Sequence, residues 1–301
     1  MTSAMPTAHT PIVFARRSAA ASSRSAFAAL LLRDLTVLRK TLKEFIPRTI
    51  LQPFLLVFVF TYVFPTIGQG IGGGGGGTSA AAKAAASAGE SAFATILVAG
   101  VIGLSIMFQG IQAVALPMVQ EFGYTKEIED RVLAPLPVAF VALQKVASGA
   151  LQGLIAAAIV FPIASVVHAK EVHVHLAYHW PILVTMIPLA CIACSALGLT
   201  FGTFFDPRTV PLLFGIVVLP MTFLGGTYYS WTRLAPVQVG GFHWLQTLVL
   251  VNPLIYITEG FRAALTTSPH MHLYVIYPVL VAFCAFFLWR GIEGFKKRVL
   301  S

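Results

Sequence analysis

Histidine and cysteine are the residue types that most often bind metals, and this sequence concentrates both near its middle. The segment HAKEVHVHLAYHW contains four histidines, namely His168, His173, His175 and His179. Cys191 and Cys194 have the spacing of a redox or zinc pair, but they lie in an apolar run without a second pair. No well-placed carboxylate set completes a site around the histidines. The sequence therefore predicts no metal site, and the histidines are typical of a membrane interface beside Trp180.

A run of six glycines opens the segment GGGGGGTSAAAKAAASAGE, residues 72–90. A phosphate-binding P-loop needs Gly-Lys-Ser/Thr at its end, so that the lysine reaches the phosphates and the hydroxyl reaches magnesium. Here Gly77 is followed by Thr78 and Ser79, and Lys83 stands alone. We therefore expect a flexible outer loop and no cofactor bound by this chain. Any ATP would have to be used by another polypeptide.

A charged segment, EFGYTKEIEDRVLAPLP (residues 121–137), separates two apolar runs. It holds six of the chain's 31 charged residues, 20 basic plus 11 acidic. As a helix over residues 121–134 it has one largely apolar face, formed by Tyr124, Ile128 and Val132. Glu127 and Arg131 lie at i and i+4 in the favourable order. A helix of this length and mixed surface exceeds what a connection needs, so we expect it to dock against a partner.

Residues 228–265 contain a second unusual stretch, which is long enough to cross a membrane but is interrupted. Asn252 and Pro253 break it in the middle, and Glu259 and Arg262 would lie deep in hydrocarbon. Irregular backbone at membrane depth is tolerated only when protein or a water-filled cavity covers it. The pattern therefore predicts two short re-entrant helices that act as a gate, with Glu259 and Arg262 paired at i and i+3.

The composition places these segments in a membrane protein. The chain is 57% hydrophobic and only 10% charged, with a mean hydropathy of +0.83, whereas about a quarter of the residues in a soluble domain are charged. Apolar runs long enough to span about 30 Å of hydrocarbon occur at 49–67, 92–118, 138–167, 180–205, 209–226 and 272–290. The sequence predicts an all-α membrane protein with six transmembrane helices.

Basic residues set the predicted orientation. With a cytoplasmic N-terminus, 16 of the 20 basic residues fall in inner segments and four in outer ones. This distribution follows the positive-inside rule, so both termini and residues 121–134 are predicted to be cytoplasmic. The net charge of +9 is therefore a topology signal and predicts no nucleic-acid partner.

The N-terminal region is predicted to contain a disordered tail over residues 1–23 and an amphipathic interfacial helix over 26–46. Apolar residues recur near the helical period, at Phe27, Leu31, Leu35, Leu38, Leu42 and Phe45. Arg33, Lys40 and Lys43 lie away from them and would face anionic lipid headgroups. Pro47 is expected to mark the corner before the first span.

Two motifs give the chain a family resemblance that covers residues 24–301. KEIEDRVLAPLP resembles the inner-loop segment of ABC-2 type exporter permeases, in particular the daunorubicin-resistance-like branch. The second motif, LPMTFLGGTYYSWTRLAP followed by VNPLIYITEGFR, resembles the block that precedes the last span of those proteins. The glycine run and the histidine-rich loop depart from the family pattern.

The resemblance implies partners and roles. Two permeases would pair, with a homodimer favoured over a heterodimer, and each would bind a separate cytosolic ATPase that holds ATP and magnesium. Residues 121–134 would be the coupling helix, its apolar face in a groove of that ATPase. The contacts at the rim of the groove would be Glu121, Glu127, Glu129 and Arg131.

The expected substrate path follows two helical stripes. Phe54, Phe58 and Tyr62 form an aromatic stripe in the first span, suited to flat apolar substrates. In the second span, polar residues share one face, namely Ser105, Gln109 and Gln112. Intramembrane polar groups need a partner, so this face should meet protein or substrate. Helix packing alone would explain both stripes equally well.

The resemblance therefore implies an ATP-driven permease of the inner membrane that exports an amphipathic drug, lipid or glycolipid. Export of a polysaccharide or lipid-linked glycan is the alternative within the same family. An intramembrane enzyme is disfavoured because no acid pair, triad or metal set lies in the spans. An ion channel is disfavoured because the spans lack charged or carbonyl-rich selectivity elements.

Overall fold

Helices make up most of the part of the chain that the structure describes. The computed structural model describes residues 19–67, 80–123, 125, 128, 131, 136–166, 176–206 and 208–300. Within these residues β pairing is limited to one isolated bridge between Val239 and Phe242. The prediction of an all-α membrane protein is confirmed.

The first half of the chain supplies four helices. α1 covers Ala19–Lys40, and α2 covers Leu42–Phe58 and continues through a π-helical turn, Val59–Val63, to Thr66. α3 is the longest helix, at 44 residues, and covers Ala80–Gly123. α4 covers Val138–Val166.

The second half begins with α5, Trp180–Phe204. α6 is formed by Val210–Leu213, a π-helical turn Phe214–Val218, and Leu219–Leu224. A short 3-10 helix follows at Trp231–Leu234. α7 covers Trp244–Leu248 with a 3-10 extension Val249–Val251, α8 covers Pro253–Leu265, and α9 covers Leu273–Leu300.

Five of these helices are long and apolar enough to cross a membrane: α2, α3, α4, α5 and α9. α7 and α8 meet at an angle of 98° and would add a sixth span only if they formed one broken crossing. The predicted span at 209–226 corresponds to α6, whose apolar part, Phe214–Leu224, is shorter than the other spans. The expected bend at Asn252 and Pro253 is present.

The core lies where α3 packs against α5, and small residues allow the two backbones to approach closely. A Cβ atom on Gly110 would lie 2.7 Å from the Cβ atom of Cys194. A Cβ atom on Gly198 would lie 2.7 Å from the carbonyl oxygen of Ile111. Any larger residue at either position would push the two helices apart.

Four helix boundaries differ from the sequence expectation. α1 begins at Ala19, inside the segment 1–23 that was predicted to be a disordered tail, and residues 1–18 lie outside the described residues. α3 begins at Ala80, inside the expected outer loop, because the alanine-rich segment has high helix propensity; residues 68–79, which include the glycine run, lie outside the described residues. The corner near the first span falls at Thr41, and α2 runs through Pro47. At the charged segment α3 continues to Gly123 and Thr125 is not helical, whereas one helix was predicted over 121–134.

Candidate functional site

One end of the molecule brings together described parts of four segments that were predicted to face the cytoplasm: α1, the charged segment, the residues that follow α5, and the end of α9. Arg298 of α9 places its guanidinium 4.7 Å from the ring centroid of Phe122 and donates a 2.9 Å hydrogen bond to the Phe205 carbonyl. Arg131 pairs with Asp34 of α1. The structure therefore groups the predicted inner segments, and we call this end of the bundle the basic end.

A polar cleft of about 590 Å³ opens at the basic end between α1, α2, α3 and α4. The α3 wall carries the predicted polar face and extends it, because Gln120 lines the cleft together with Gln109 and Gln112. A small cavity of about 30 Å³ lies beyond it and is lined by Ser105. Arg48, Gln109 and Gln112 line both spaces, so they mark the junction between them.

Polar contacts between α2 and α3 lie at this junction. Arg48 Nη2 donates a hydrogen bond to Gln112 Oε1. Thr49 Oγ1 donates a 3.3 Å hydrogen bond to Gln109 Oε1. The Ser105 hydroxyl donates instead to the carbonyl of Val101, within its own helix. Gln109 and Gln112 therefore meet protein, as the cost of intramembrane polar groups requires, and they also face the cleft.

A cluster of charged and amide side chains forms one wall of the cleft, and we call it the charged cluster. Arg131 Nη2 lies 2.9 Å from Glu121 Oε1, and Arg131 Nη1 lies 3.4 Å from Asp34 Oδ1. Lys145 Nζ also pairs with Glu121, and Gln144 Nε2 donates a 2.8 Å hydrogen bond to Asp34 Oδ2. Four segments meet here, namely α1, the end of α3, the residues after α3, and α4.

The residues predicted to contact an ATPase divide into two groups. Glu121, Ile128 and Arg131 are buried, with exposures of 5–7%. Ile128 packs in the core among residues such as Met118 and Val141, and it therefore does not present a free anchor for a partner's groove. Glu121 and Arg131 form internal ion pairs, which differs from the predicted rim contacts. The remaining four lie outside the described residues: Tyr124, Glu127, Glu129 and Val132.

The predicted aromatic stripe is present on α2. The ring centroids of Phe54 and Phe58 are 5.6 Å apart, and those of Phe58 and Tyr62 are 5.2 Å apart, with stacked ring planes. Tyr62 is 44% exposed. The stripe lies away from the α2 residues that line the small cavity, such as Thr49 and Pro53. The three stripe residues line neither the cleft nor the small cavity, whereas the polar face of α3 lines both.

The predicted gate residues form a closed arrangement at the other end of the molecule. Arg262 Nη1 lies 2.8 Å from Glu259 Oε1, and both side chains are fully buried. Each Glu259 oxygen also accepts a 2.8 Å hydrogen bond from a backbone N–H, one from Trp231 and one from Met271. Arg262 donates to the carbonyl of Gly226.

The chain around the bent pair turns back on itself. Asn252 caps α8 by accepting a 3.0 Å hydrogen bond from Leu254 N, ahead of Pro253 at the first helical position, and its amide donates to the carbonyl of Met221. Trp231 contacts Gln246 in α7 and Glu259 in α8. Gln246, near the start of α7, and Glu259, within α8, therefore meet the same residue, which favours a re-entrant pair over a broken span.

Sequence reasoning missed four residues of this site: Asp34, Arg48, Gln144 and Lys145. Arg48 and Lys145 were counted only as topology charges. The available signal was a basic residue inside or at the edge of an apolar run, which is costly unless it finds a partner. The partners themselves are far apart in sequence, by 97 residues for Asp34 and Arg131.

Comparison with known proteins agrees with this architecture. The sequence profile of the family described as ABC-2 type transporter matches residues 25–266. The inner membrane transport permease YadH of Escherichia coli K12 is 29% identical over 211 residues, which cover 67% of this chain and 75% of the relative. The YadH permease of Shigella flexneri gives the same values.

The chain belongs to the ABC-2 type transporter family, because the family profile covers well over half of it. It is a multi-pass membrane protein and a transporter permease, not an enzyme. The name of these relatives places them in the inner membrane, which supports the same location for this chain. Membership of the family implies a partnership with an ABC ATPase.

Proposed function

We propose that this chain is the permease of an ATP-driven exporter that moves an amphipathic drug, lipid or glycolipid outward across the inner membrane. ATP and magnesium are held by a separate cytosolic ATPase subunit, and two permease copies form the transport unit, a homodimer in preference to a heterodimer. One observation carries the proposal: the charged cluster connects the segment after α3 to α1 and α4, which form walls of the cleft.

The charged cluster is costly to bury. Buried charges are expensive to remove from water, and they are retained only with good partners. Here the partners come from different segments, so displacement of the segment after α3 changes ion pairs in the cleft wall. A cytosolic ATPase that pushes on this segment would thereby act on the cleft.

The orientation is part of the proposal. We expect the basic end to face the cytoplasm, together with both termini. A single cysteine at Thr125, which is exposed, should react with a membrane-impermeant maleimide only in inside-out vesicles. A cysteine at Thr78 should react only in intact cells. Reaction of both cysteines from the same side would contradict the orientation.

Reconstitution tests the function itself. The permease should co-purify with its ATPase, and an amphipathic substrate should stimulate ATP hydrolysis by the complex in liposomes. Tyr124→Ala should reduce the stimulation more than Glu129→Ala, because aromatic anchors at an interface contribute about 2 kcal/mol or more and exposed charge pairs about 0–1 kcal/mol. Ile128 is a poor choice, because its truncation would leave a cavity in the permease core.

Three other outcomes of the reconstitution experiment would contradict or change the proposal. If the permease neither co-purifies with an ATPase nor changes its turnover, the proposal of an ATP-driven exporter fails. If Glu129→Ala is as damaging as Tyr124→Ala, the segment contacts its partner through charges. Stimulation by a lipid-linked glycan but by no simple lipid or drug would favour the glycan exporter.

A further inference from the structure

The junction between the two cavities is rich in hydrogen-bond donors. An arginine can only donate hydrogen bonds, so the Gln112 oxygen faces Arg48 and the Gln112 amide nitrogen points elsewhere. The Gln109 oxygen is likewise occupied by Thr49. Neither amide nitrogen donates to another described residue. Two N–H₂ groups and one guanidinium therefore surround the junction without an equal number of acceptors.

The cleft is also lined by more basic than acidic side chains. Its lining contains four basic and three acidic side chains, namely Arg33, Arg48, Arg131, Lys145, Asp34, Glu44 and Glu121. Arg131 and Lys145 pair with the two acids of the charged cluster. Arg48 is exposed, and no acidic side chain of the described residues pairs with it. Its one hydrogen bond to a described residue is to a neutral amide oxygen, and Glu44, one helical turn earlier on the same cleft wall, forms no ion pair with it.

An apolar strip begins directly at Arg48. Leu51, Leu55, Phe58 and Tyr62 follow it at intervals of three and four residues, which places them along one side of α2. Leu51 is 60% exposed and Leu55 is 48% exposed. The distance from Arg48 to Tyr62 along the helix axis is about 21 Å. A cationic site that is rich in hydrogen-bond donors therefore lies at one end of a long exposed apolar strip.

We infer that this junction binds the anionic headgroup of an amphiphile, with its hydrocarbon part lying along the strip from Leu51 to Tyr62. The inference rests on the proposed transport function and names the substrate class for the same cleft. Charge-assisted hydrogen bonds from arginine favour a phosphate or carboxylate over a zwitterionic or neutral headgroup. The cleft volume of about 590 Å³ lies in the range of ligand pockets.

The test measures binding by the purified permease in a neutral detergent, without ATP or an ATPase. The probes are phosphatidic acid and phosphatidylcholine that carry the same fluorescent acyl chain, followed by fluorescence anisotropy. The wild-type protein should bind phosphatidic acid about tenfold more tightly, the size expected for a charge-assisted contact. Arg48→Gln should remove most of this preference and leave the affinity for phosphatidylcholine unchanged, and the unchanged value shows that the variant is folded.

Two further variants test whether the preference for an anionic headgroup comes from Arg48 itself. Arg48→Lys should keep part of the preference, because it retains the charge. Arg39→Gln removes an exposed arginine of α1 that does not line the cleft, and it should behave like the wild type. Equal losses in Arg39→Gln and Arg48→Gln would overturn the inference, because they would show attraction by the basic surface as a whole.

Inorganic phosphate distinguishes the sources of the anion. Phosphate at millimolar concentration should not displace the fluorescent phosphatidic acid, because it lacks a hydrocarbon part for the strip. Displacement would show a site for free phosphate and would overturn the inference. A wild-type protein without anionic preference would overturn it too, and in that case substrate-stimulated ATP hydrolysis by the complex would still support the transport function.

Discussion

The two buried ion-pair systems lie at opposite ends of the molecule and are built in different ways. Glu259 and Arg262 are neighbours on one helix, and their remaining partners are backbone groups of Trp231, Met271 and Gly226. In the charged cluster, all partners are side chains, and they come from four segments. The first system is closed, whereas the second borders the cleft.

The two ion-pair systems differ in role: the Glu259 and Arg262 pair supports the fold, whereas the charged cluster can transmit a movement. Backbone donors are fixed by the fold, so Glu259 is held in one arrangement in which both of its oxygens accept hydrogen bonds, and Arg262 Nε is the one buried atom of the pair without a partner among the described residues. Gly226, at φ 68°, forms the turn that presents its carbonyl to Arg262, and a Cβ atom there would lie 2.4 Å from the Cδ1 atom of Ile255. In the charged cluster, Glu121 Oε2 and Gln144 Oε1 accept no hydrogen bond from the described residues. Those two spare acceptors make a second arrangement of the cluster possible.

The largest effect is expected at the closed pair. Arg262→Met leaves Glu259 buried without its cation, which costs about 3–5 kcal/mol for a buried pair. The thermal unfolding midpoint of the purified permease in detergent should fall steeply, or the protein should fail to accumulate.

The control for this variant is Arg233→Met, which removes an exposed arginine from the same region and should leave the midpoint nearly unchanged. The double variant Glu259→Gln/Arg262→Met should recover part of the loss, because no uncompensated charge remains. Equal midpoints for Arg262→Met and Arg233→Met would contradict the idea of a structural lock.

A smaller effect on stability and a larger one on coupling are expected at Glu121. Glu121→Gln removes the carboxylate that Lys145 and Arg131 share. Water in the neighbouring cleft can solvate the two cations, so folding should survive. Substrate-stimulated ATP hydrolysis should fall about tenfold, which corresponds to about 1.4 kcal/mol.

Glu44→Gln is the matched control for this variant, because Glu44 is an exposed acid that also lines the cleft. It should retain wild-type stimulation. If Glu121→Gln also retained it, the cluster would be a static support like the Glu259 pair, and the contrast between the two ends would disappear.

The smallest effect is expected at Asp34, which holds α1 to the rest of the cluster. Asp34→Asn keeps an acceptor for Gln144 but weakens the 3.4 Å contact with Arg131. Leu38, one turn later in α1, is 7% exposed. The rate at which a cysteine at position 38 reacts with maleimide should therefore rise about two- to fivefold in the Asp34→Asn background, as for a shift of about 0.4–1 kcal/mol. An unchanged rate would show that apolar contacts alone hold α1.

The sequence was sufficient for features that follow from local pattern. The long spans follow from runs of apolar residues, and the bent pair follows from Asn252 and Pro253 with two charges in an apolar stretch. The apolar face of α1 was also predicted, since Leu38 is buried while Arg33 is exposed.

The charged cluster could not be predicted, because no local rule joins Asp34 to Arg131 or Glu121 to Lys145 across 97 and 24 residues. The end of α3 was mispredicted for a related reason. The charged segment looked like an independent helix, while its first three residues, 121–123, complete α3, and Glu121 is held there by Lys145 of α4. The sequence also could not show whether Ile128 is buried inside the permease or against a partner, because the residue pattern of the segment is the same in both cases.

The unbroken length of α3 gives the molecule a mechanical property. Its 44 residues correspond to about 66 Å, roughly twice the thickness of the hydrocarbon layer. The close contact of Gly110 with α5 lies about 16 Å from Glu121 and about 45 Å from Ala80 along the axis. If that contact acts as the fulcrum, α3 is an unequal lever. If the helix also stays rigid across Pro117, which lies on the short arm, a small tilt imposed beside the charged cluster becomes a displacement about three times larger at the opposite surface.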